Sequence, residues 1–251
     1  MTIHSQSSVD IASCPDAGEK FFCSWSGGKD SCLALYRAKA NGSIPSHLVT
    51  MMVEDGTRTR SHGLAAEVVQ QQALSLGLPL ATAATSWSEY ETSFINVLHR
   101  LKMQQVNAGV FGDIDIDRHR AWEQKVCEAA HLRAYLPLWK SERHLLLQEF
   151  LDLGFSAMIV ATNARSLGPE FLGRSLDREL IAHFAHQGID PSGENGEYHT
   201  IVVDGPLFAQ PLALAPGETM QRDGYWFLDL AIKPASEDPT GDDTTAQRHP
   251  P

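Results

Sequence analysis

Apolar residues gather in short runs, separated by stretches in which they recur every three or four positions. Phe21, Phe22 and Cys23 lead through Ser24 to Trp25 and stop at Gly27-Gly28, which predicts a buried strand over 21–25. Residues 30–40 read as a helix closed by Asn41-Gly42, and 47–53 as a second strand. Over 64–76, Ala65, Val68, Val69, Ala73 and Leu76 share one helical face, and Gly77 is the expected C-cap. A third strand is expected at 80–85. A helix across 88–107 carries Tyr90, Phe94, Val97, Leu98 and Leu101, with a strand at 109–112 after it. Ser141 is expected to cap a helix through Leu153, and 155–161 reads as another buried strand. Such alternation implies right-handed βαβ units: an α/β fold, Rossmann-like, with a doubly wound parallel sheet and helices on both faces.

The pattern then changes. A helix at 175–187, a loop rich in Gly and Glu at 193–197, and strands at 200–204 and 224–232 predict a smaller α+β lobe. We divide the chain into a disordered leader at 1–19, an α/β domain at 20–165, the lobe at 166–232 and a disordered tail at 233–251. Neither end carries enough apolar surface to offset its ordering entropy.

Composition narrows the function classes. A chain of 251 residues with 43% hydrophobic and 20% charged residues is long enough for a sizeable core. Twenty Lys and Arg against 31 Asp and Glu give a net charge of −11, which argues against nonspecific binding of nucleic acid or an anionic membrane. No apolar run is long enough to span a bilayer, and the first residues lack the pattern of a secretory leader. Cys14, Cys23, Cys32 and Cys127 include no Cys-x-x-Cys pair, so plain thiols in a reducing cytoplasm are expected, with Cys14 exposed.

The sharpest chemical signal is Ser26-Gly27-Gly28-Lys29-Asp30-Ser31, set between a strand and a helix. The glycines allow a tight turn and close approach of the backbone. The helix start offers unpaired N–H groups, the serines add hydroxyls and Lys29 a point charge, together a cradle for polyphosphate. An ordinary capped Gly-Gly turn is the plain alternative. Glu194 and Glu197, separated by Asn195-Gly196, are expected to converge on one side of a turn. There they would bind a cation or amine or accept protons from a nucleophile, unless they are simply solvated. Arg58, Arg60 and His62 follow a strand's C-terminal end, where open α/β sheets bind ligands, and can meet a phosphate or carboxylate. Asp113, Asp115, Asp117 and His119 form a cluster that suits a metal or a nucleotide or substrate contact, without the Gly and final Glu of a calcium loop. Arg174 and Asp177 read as a helix-surface pair.

The phosphate string resembles the signature of the PP-loop ATP pyrophosphatases, the adenine nucleotide alpha-hydrolase-like proteins. Residues 193–200, Gly-Glu-Asn-Gly-Glu-Tyr-His-Thr, resemble the second signature of the diphthine–ammonia ligase family. The likeness covers most of 20–208 and takes in 57–63, 111–115 with His119-Arg120, 136–139, and 171–174 with Leu176-Asp177. The Arg58/Arg60/His62 version of the second loop resembles a bacterial-type branch. The resemblance implies that a carboxylate is adenylated with loss of pyrophosphate and then amidated by ammonia. It further implies ATP and Mg²⁺, with Asp30 as the metal residue and Lys29, Glu194 and Glu197 as catalytic residues. Ser24, Ser26, Gly27, Gly28, Lys29, Asp30, Ser31, Met52, His62, Gly112 and Asp113 would hold the nucleotide. Arg58, Arg60, Arg174, Asn195, Gly196, Tyr198 and His199 would hold a carboxylate-bearing acceptor, either a small molecule or a modified protein side chain. No membrane or nucleic-acid partner is expected, and a homodimer is left open. The alternatives are a PP-loop tRNA-modifying enzyme and an ATP-binding sensor without chemistry.

Overall fold

The computed structural model describes residues 13–233. Most of the expected leader and tail, 1–12 and 234–251, lies outside the described residues. Residues 13–19 are packed against the fold: Asn41 Nδ2 and Ser43 Oγ donate to Pro15 O at 2.9 and 2.6 Å. Cys14, expected to be exposed, is half-buried against the main core, because this segment covers one edge of it.

The first layer is a five-stranded parallel sheet built from β1 (Lys20–Ser24), β2 (Ile44–Met52), β3 (Leu80–Ala84), β4 (Ala108–Val110) and β5 (Arg133–Tyr135), in the order β3-β2-β1-β4-β5. The intervening helices are α1 (Lys29–Ala40), α2 (Ala66–Leu76), α3 (Tyr90–Met103) and α4 (Asp117–Ala129). β1 is central and buried on both faces. Phe21 and Cys23 enter one core cluster and Phe22 the other, as the two-residue period of a strand requires. Gly109 on β4 makes room for Phe22, whose ring lies 2.5 Å from where a Cβ would stand. Gly77 caps α2 with φ 66°, as expected.

Residues 155–161 had the run of a further parallel strand. Instead β6 (Ser156–Asn163), reached through α5 (Arg143–Asp152), joins a second sheet. There it pairs antiparallel with β7 (Tyr198–Asp204) and β9 (Tyr225–Ile232), and β8 (Leu214–Arg222) completes the order β7-β6-β9-β8. A continuous apolar run does not reveal its partner's direction. The sequence reading also omits α4, β5 and β8. α4 buries only Glu123, Val126 and Cys127, β5 has three residues, and β8 is mostly exposed, so each lacks a clear apolar period. The turn of the β8–β9 hairpin is Asp223-Gly224, both left-handed at φ 52° and 81°, a pairing suited to a two-residue hairpin turn. Ser141 does not cap α5: the N-cap is Glu142, without a side-chain hydrogen bond. α6 (Arg178–His186) is capped by Asp177, which accepts from Leu180 N at 2.8 Å, and Arg174 lies over the Phe171 ring. The expected Arg174–Asp177 pair is therefore absent, because Asp177 is committed to its own helix.

Candidate active site

The sheet order reverses at β1. The chain winds outward through β2 and β3, then returns to β4 on β1's other side. The crevice beyond the ends of β1 and β4 is where such a sheet receives a ligand. Residues 25–28 turn there into α1. Gly27 has φ 84°, and a Cβ on it would stand 2.6 Å from Gln72 Oε1. Gln72, fully buried on α2, accepts from Trp25 Nε1 at 3.1 Å and donates to Gly27 O at 3.0 Å and Val202 O at 2.8 Å. β7 completes this frame. Val202 N donates to Gly27 O at 2.9 Å, and Lys29 N donates to Thr200 Oγ1 at 3.1 Å. The second sheet thus shapes the loop that follows the first. Gly28 is extended rather than left-handed, and packing is what excludes a side chain: a Cβ would lie 2.6 Å from His62 Cε1 and 3.0 Å from Thr200 O. Gly112 likewise faces the backbone of Asp30 and Ser31, within 2.8 Å of a built Cβ. Ser26 and Ser31 hydroxyls lie 3.2 Å apart at the mouth of the turn.

Lys29 is only 6% exposed. Its Nζ donates to Asp30 at 2.9 and 2.7 Å and to Glu194 Oε1 at 3.2 Å. Burial opposes its charge, but Asp30 and Glu194 outweigh burial and raise its pKa above the ordinary lysine value. Burial and the neighbouring Asp30 push Glu194 up to about 7, against the favourable pull of Lys29. Glu194 and Glu197 do not converge. Glu194 reaches Lys29 on the 26–31 loop, whereas Glu197 turns back to accept from Asn195 N at 3.0 Å and Asn195 Nδ2 at 3.1 Å. The two carboxylates stand three positions apart across a left-handed glycine turn, and that spacing alone does not fix a common target. Gly196, left-handed at φ 85°, makes this turn, and Tyr225 Oη donates to its carbonyl at 2.9 Å.

Behind the loop, His62 and His199 stack with ring centroids 4.7 Å apart, and His62 Nδ1 lies 3.0 Å from Thr200 O. Burial and each other's proximity hold His62 well below the usual histidine range. Burial and Lys29 lower His199 to about 4. Both rings are neutral near pH 7 and act as packing beneath Gly28. Tyr198 is buried, with Oη donating to Pro191 O at 2.5 Å.

The acidic stretch after β4 is divided among separate partners. Asp113 accepts from His119 Nδ1 at 2.7 Å, Asp115 binds Arg143 at 2.8 and 3.0 Å, and Asp117 lies 3.5 Å from Arg120. Among the described residues, no three His, Cys, Asp or Glu gather as a metal group. Burial and the neighbouring Asp113 raise the Glu123 carboxyl well above its usual pKa. Arg143, absent from the sequence reading, binds Asp115 on one lobe and Asp190 and Asn195 on the other. It ties the 190–197 loop to the loop after β4. Nothing local marks an arginine at a helix start as such a tie.

Ser24, Ser26, Met51, Arg60 and Trp87 line a cleft over the ends of β1 and β2. Met52 is buried beside it, 3% exposed, while Met51 is the methionine facing the cleft. Arg58 donates to Gly63 O at 3.1 Å and pairs with Asp229 at 2.9 Å. Arg60 binds Thr85 O and, at 2.9 Å, Glu54. Arg174 lies outside this group, over Phe171.

Residues 19–134 match the Diphthamide synthase N-terminal domain and 142–235 the Diphthamide synthase C-terminal domain. The chain is 27% identical over 219 residues to a protein of Danio rerio named diphthine–ammonia ligase, covering 78% of this chain and 86% of that one. It is 26% identical over 259 residues to the Rattus norvegicus protein of that name, covering 89% and 97%. The Homo sapiens protein of that name is 30% identical over 132 residues, covering 51% and 49%. With both domains matched in order across one continuous site, the chain belongs to the diphthamide synthase family.

Proposed function

We propose that this chain is an ATP-dependent ligase that adenylates a carboxylate and amidates it with ammonia. The observation that carries the reading is the contact of Lys29 with Asp30 and Glu194 at the switch point of the sheet, where two lobes meet. The 26–31 loop holds the β- and γ-phosphates at the start of α1, with Ser24, Gly112 and Asp113 around the nucleotide. Lys29 leaves its carboxylates to face the negative charge that grows as the α-phosphate is attacked. An acceptor carboxylate oxygen bonds to the α-phosphorus, and the bond to the β-phosphate oxygen breaks. Pyrophosphate leaves. Ammonia then bonds to the acyl carbon and AMP departs, leaving an amide.

Glu194, with its pKa near 7, suits ammonium: it attracts the cation and takes one of its protons. Glu197 and Asn195 position the turn that presents Glu194. Tyr198 and His199 lie beneath it on β7. Asp30, 31% exposed, is an oxygen donor of the type Mg²⁺ prefers and would hold the ion beside the nucleotide. Bound there, Mg²⁺ would neutralise phosphate charge.

The relatives' name makes diphthine the first acceptor to test, with other carboxylates beside it. No helix among the described residues is long and apolar enough to cross a membrane. We place the enzyme in the cytoplasm and leave open a homodimer. The test is product analysis with ATP, ammonium and a diphthine-bearing substrate. AMP, pyrophosphate and an amide formed only with ammonium are expected. ADP and phosphate as the main products would contradict the reading.

A further inference from the structure

A second cleft of about 870 Å³ opens between the 53–60 loop and the tip of the β8–β9 hairpin. That is within the size range of a small-ligand site. Arg58, Arg60 and Arg222 line it together with Glu54, Asp55 and Asp223, so its charges balance and what distinguishes the arginines is which has a donor to spare. Their commitments differ. Arg58 is held by Gly63 O and Asp229, and Arg222 is exposed at the tip, 3.7 Å from Asp223. Arg60 is the inner one, with one terminal nitrogen committed to Glu54 at 2.9 Å and to Thr85 O. Its side chain is 7% exposed, and its Nε is buried without a hydrogen-bond partner. A buried guanidinium donor left open is costly, and a carboxylate oxygen is its natural complement.

Arg60 and Trp87 line both this cleft and the one over Ser24 and Ser26, so the two spaces adjoin at that pair. Trp87 is 72% exposed, with Arg60 4.7 Å from its ring centroid. An exposed indole beside an open donor offers an apolar platform next to a carboxylate grip.

Resting on the ligase reading, we propose that this cleft is the acceptor site. Arg60 holds the carboxylate that is to be adenylated, and Trp87 supports the apolar body attached to it. The hairpin forms the outer wall and limits what enters, with Tyr225 and Phe227 behind it. The ligand chemistry is a carboxylate on an apolar or planar body, presented by a small molecule or by a side chain of another protein.

The test is calorimetric titration of the full chain with phenylacetate and with its uncharged counterpart, phenylacetamide. Phenylacetate should bind saturably and phenylacetamide about tenfold more weakly, the loss expected for one charge-assisted contact. Arg60→Gln should weaken phenylacetate by about tenfold, and Trp87→Ala, at an exposed position that does not threaten folding, by a smaller but clear factor. A carboxyl-bearing dipeptide with a phenylalanine C-terminus, titrated in parallel, separates the sources: binding near that of phenylacetate favours a protein-borne carboxylate, and markedly weaker binding a free small molecule. Absence of saturable phenylacetate binding, or equal binding by the two variants and the native chain, overturns the proposal. Failure of the ligase reading looks different: no acceptor would yield pyrophosphate, while Arg60-dependent phenylacetate binding persisted. Failure of this proposal alone would leave ammonium-dependent turnover intact in the Arg60→Gln chain with its KM for acceptor unchanged.

Discussion

Glu194→Gln keeps the side-chain shape beside Lys29 and removes its charge. In the free protein Glu194 titrates at about 7, against an ordinary 4.5. That difference, 7 − 4.5, corresponds to about 3 kcal/mol opposing the charged form. The sign follows from proton binding. An acid raised by folding holds more protons in the folded state between its two pKa values, so stability is highest below about 4.5 and is lost as pH rises through about 7. ATP sharpens the effect, because a phosphate oxygen must share Lys29 with Glu194 Oε1, now 3.2 Å from Nζ. Two oxygens around one ammonium lie roughly 5 Å apart, and at an effective dielectric constant of about 20 they repel by about 3 kcal/mol. If a bound cation offsets half of this, Glu194 rises about one further unit on binding.

The native protein should therefore take up about half a proton with ATP near pH 7.5, and its affinity should fall nearly tenfold between about pH 6 and pH 9. Glu194→Gln should bind ATP at least as tightly above pH 8, lose this proton uptake and show a flatter profile. Amide formation should nevertheless drop by roughly 10²-fold, the usual size of a lost general base. Calorimetry in buffers of different ionisation enthalpy reads the proton directly. Parallel pH profiles for native and variant proteins, with equal proton uptake, would refute the reasoning.

Three further outcomes follow from the same geometry. Lys29→Ala should abolish pyrophosphate release and also destabilise the chain by about 2 kcal/mol, a buried-pair loss discounted for the partial exposure of Asp30; an unchanged melting temperature and ATP affinity would count against it. Gly28→Ala places a Cβ 2.6 Å from His62 Cε1 and should cost about 1–3 kcal/mol, seen as a melting temperature lower by several degrees; a native melting temperature would show that the second sheet yields easily. His199, neutral and lowered to about 4, should make stability rise as pH rises from about 4 to about 6.5, by up to ~3 kcal/mol, because the unfolded chain holds the extra proton there. Urea titrations across that window should show the slope reduced in His199→Gln.

The parallel half of the fold was legible because its signals are local. Phe21-Phe22-Cys23 alternates between two cores, Val68, Val69 and Ala73 line one face of α2, and Gly77 ends it at positive φ. Elements escaped where burial is slight or the run is short, as in α4, β5 and β8. The Asp223-Gly224 pair is a hairpin signal, but the exposed strand before it carries no apolar period that marks β8. Site residues followed the same division. Ser26 to Ser31 form one continuous turn, so their proximity is written in the chain itself. Gln72 and Arg143 serve the site through contacts 45 and 28 residues away, which no spacing rule encodes.

By itself the sequence determined the chemistry on offer: a glycine turn, a lysine and paired glutamates set on a βαβ scaffold. These depend on backbone conformation and residue type, both local properties. Only the tertiary structure decided which groups meet. The antiparallel pairing of β6 with β7 brings Thr200 and Val202 onto the 26–31 loop and swings Glu194 to Lys29 across 165 positions of chain. It also turns Glu197 onto its own loop and leaves Arg60 with an open donor at the junction of two clefts. Direction of strand pairing, burial of a charge and the partner of an arginine are set by the sum of many weak contacts over the whole chain. No single stretch of residues carries them.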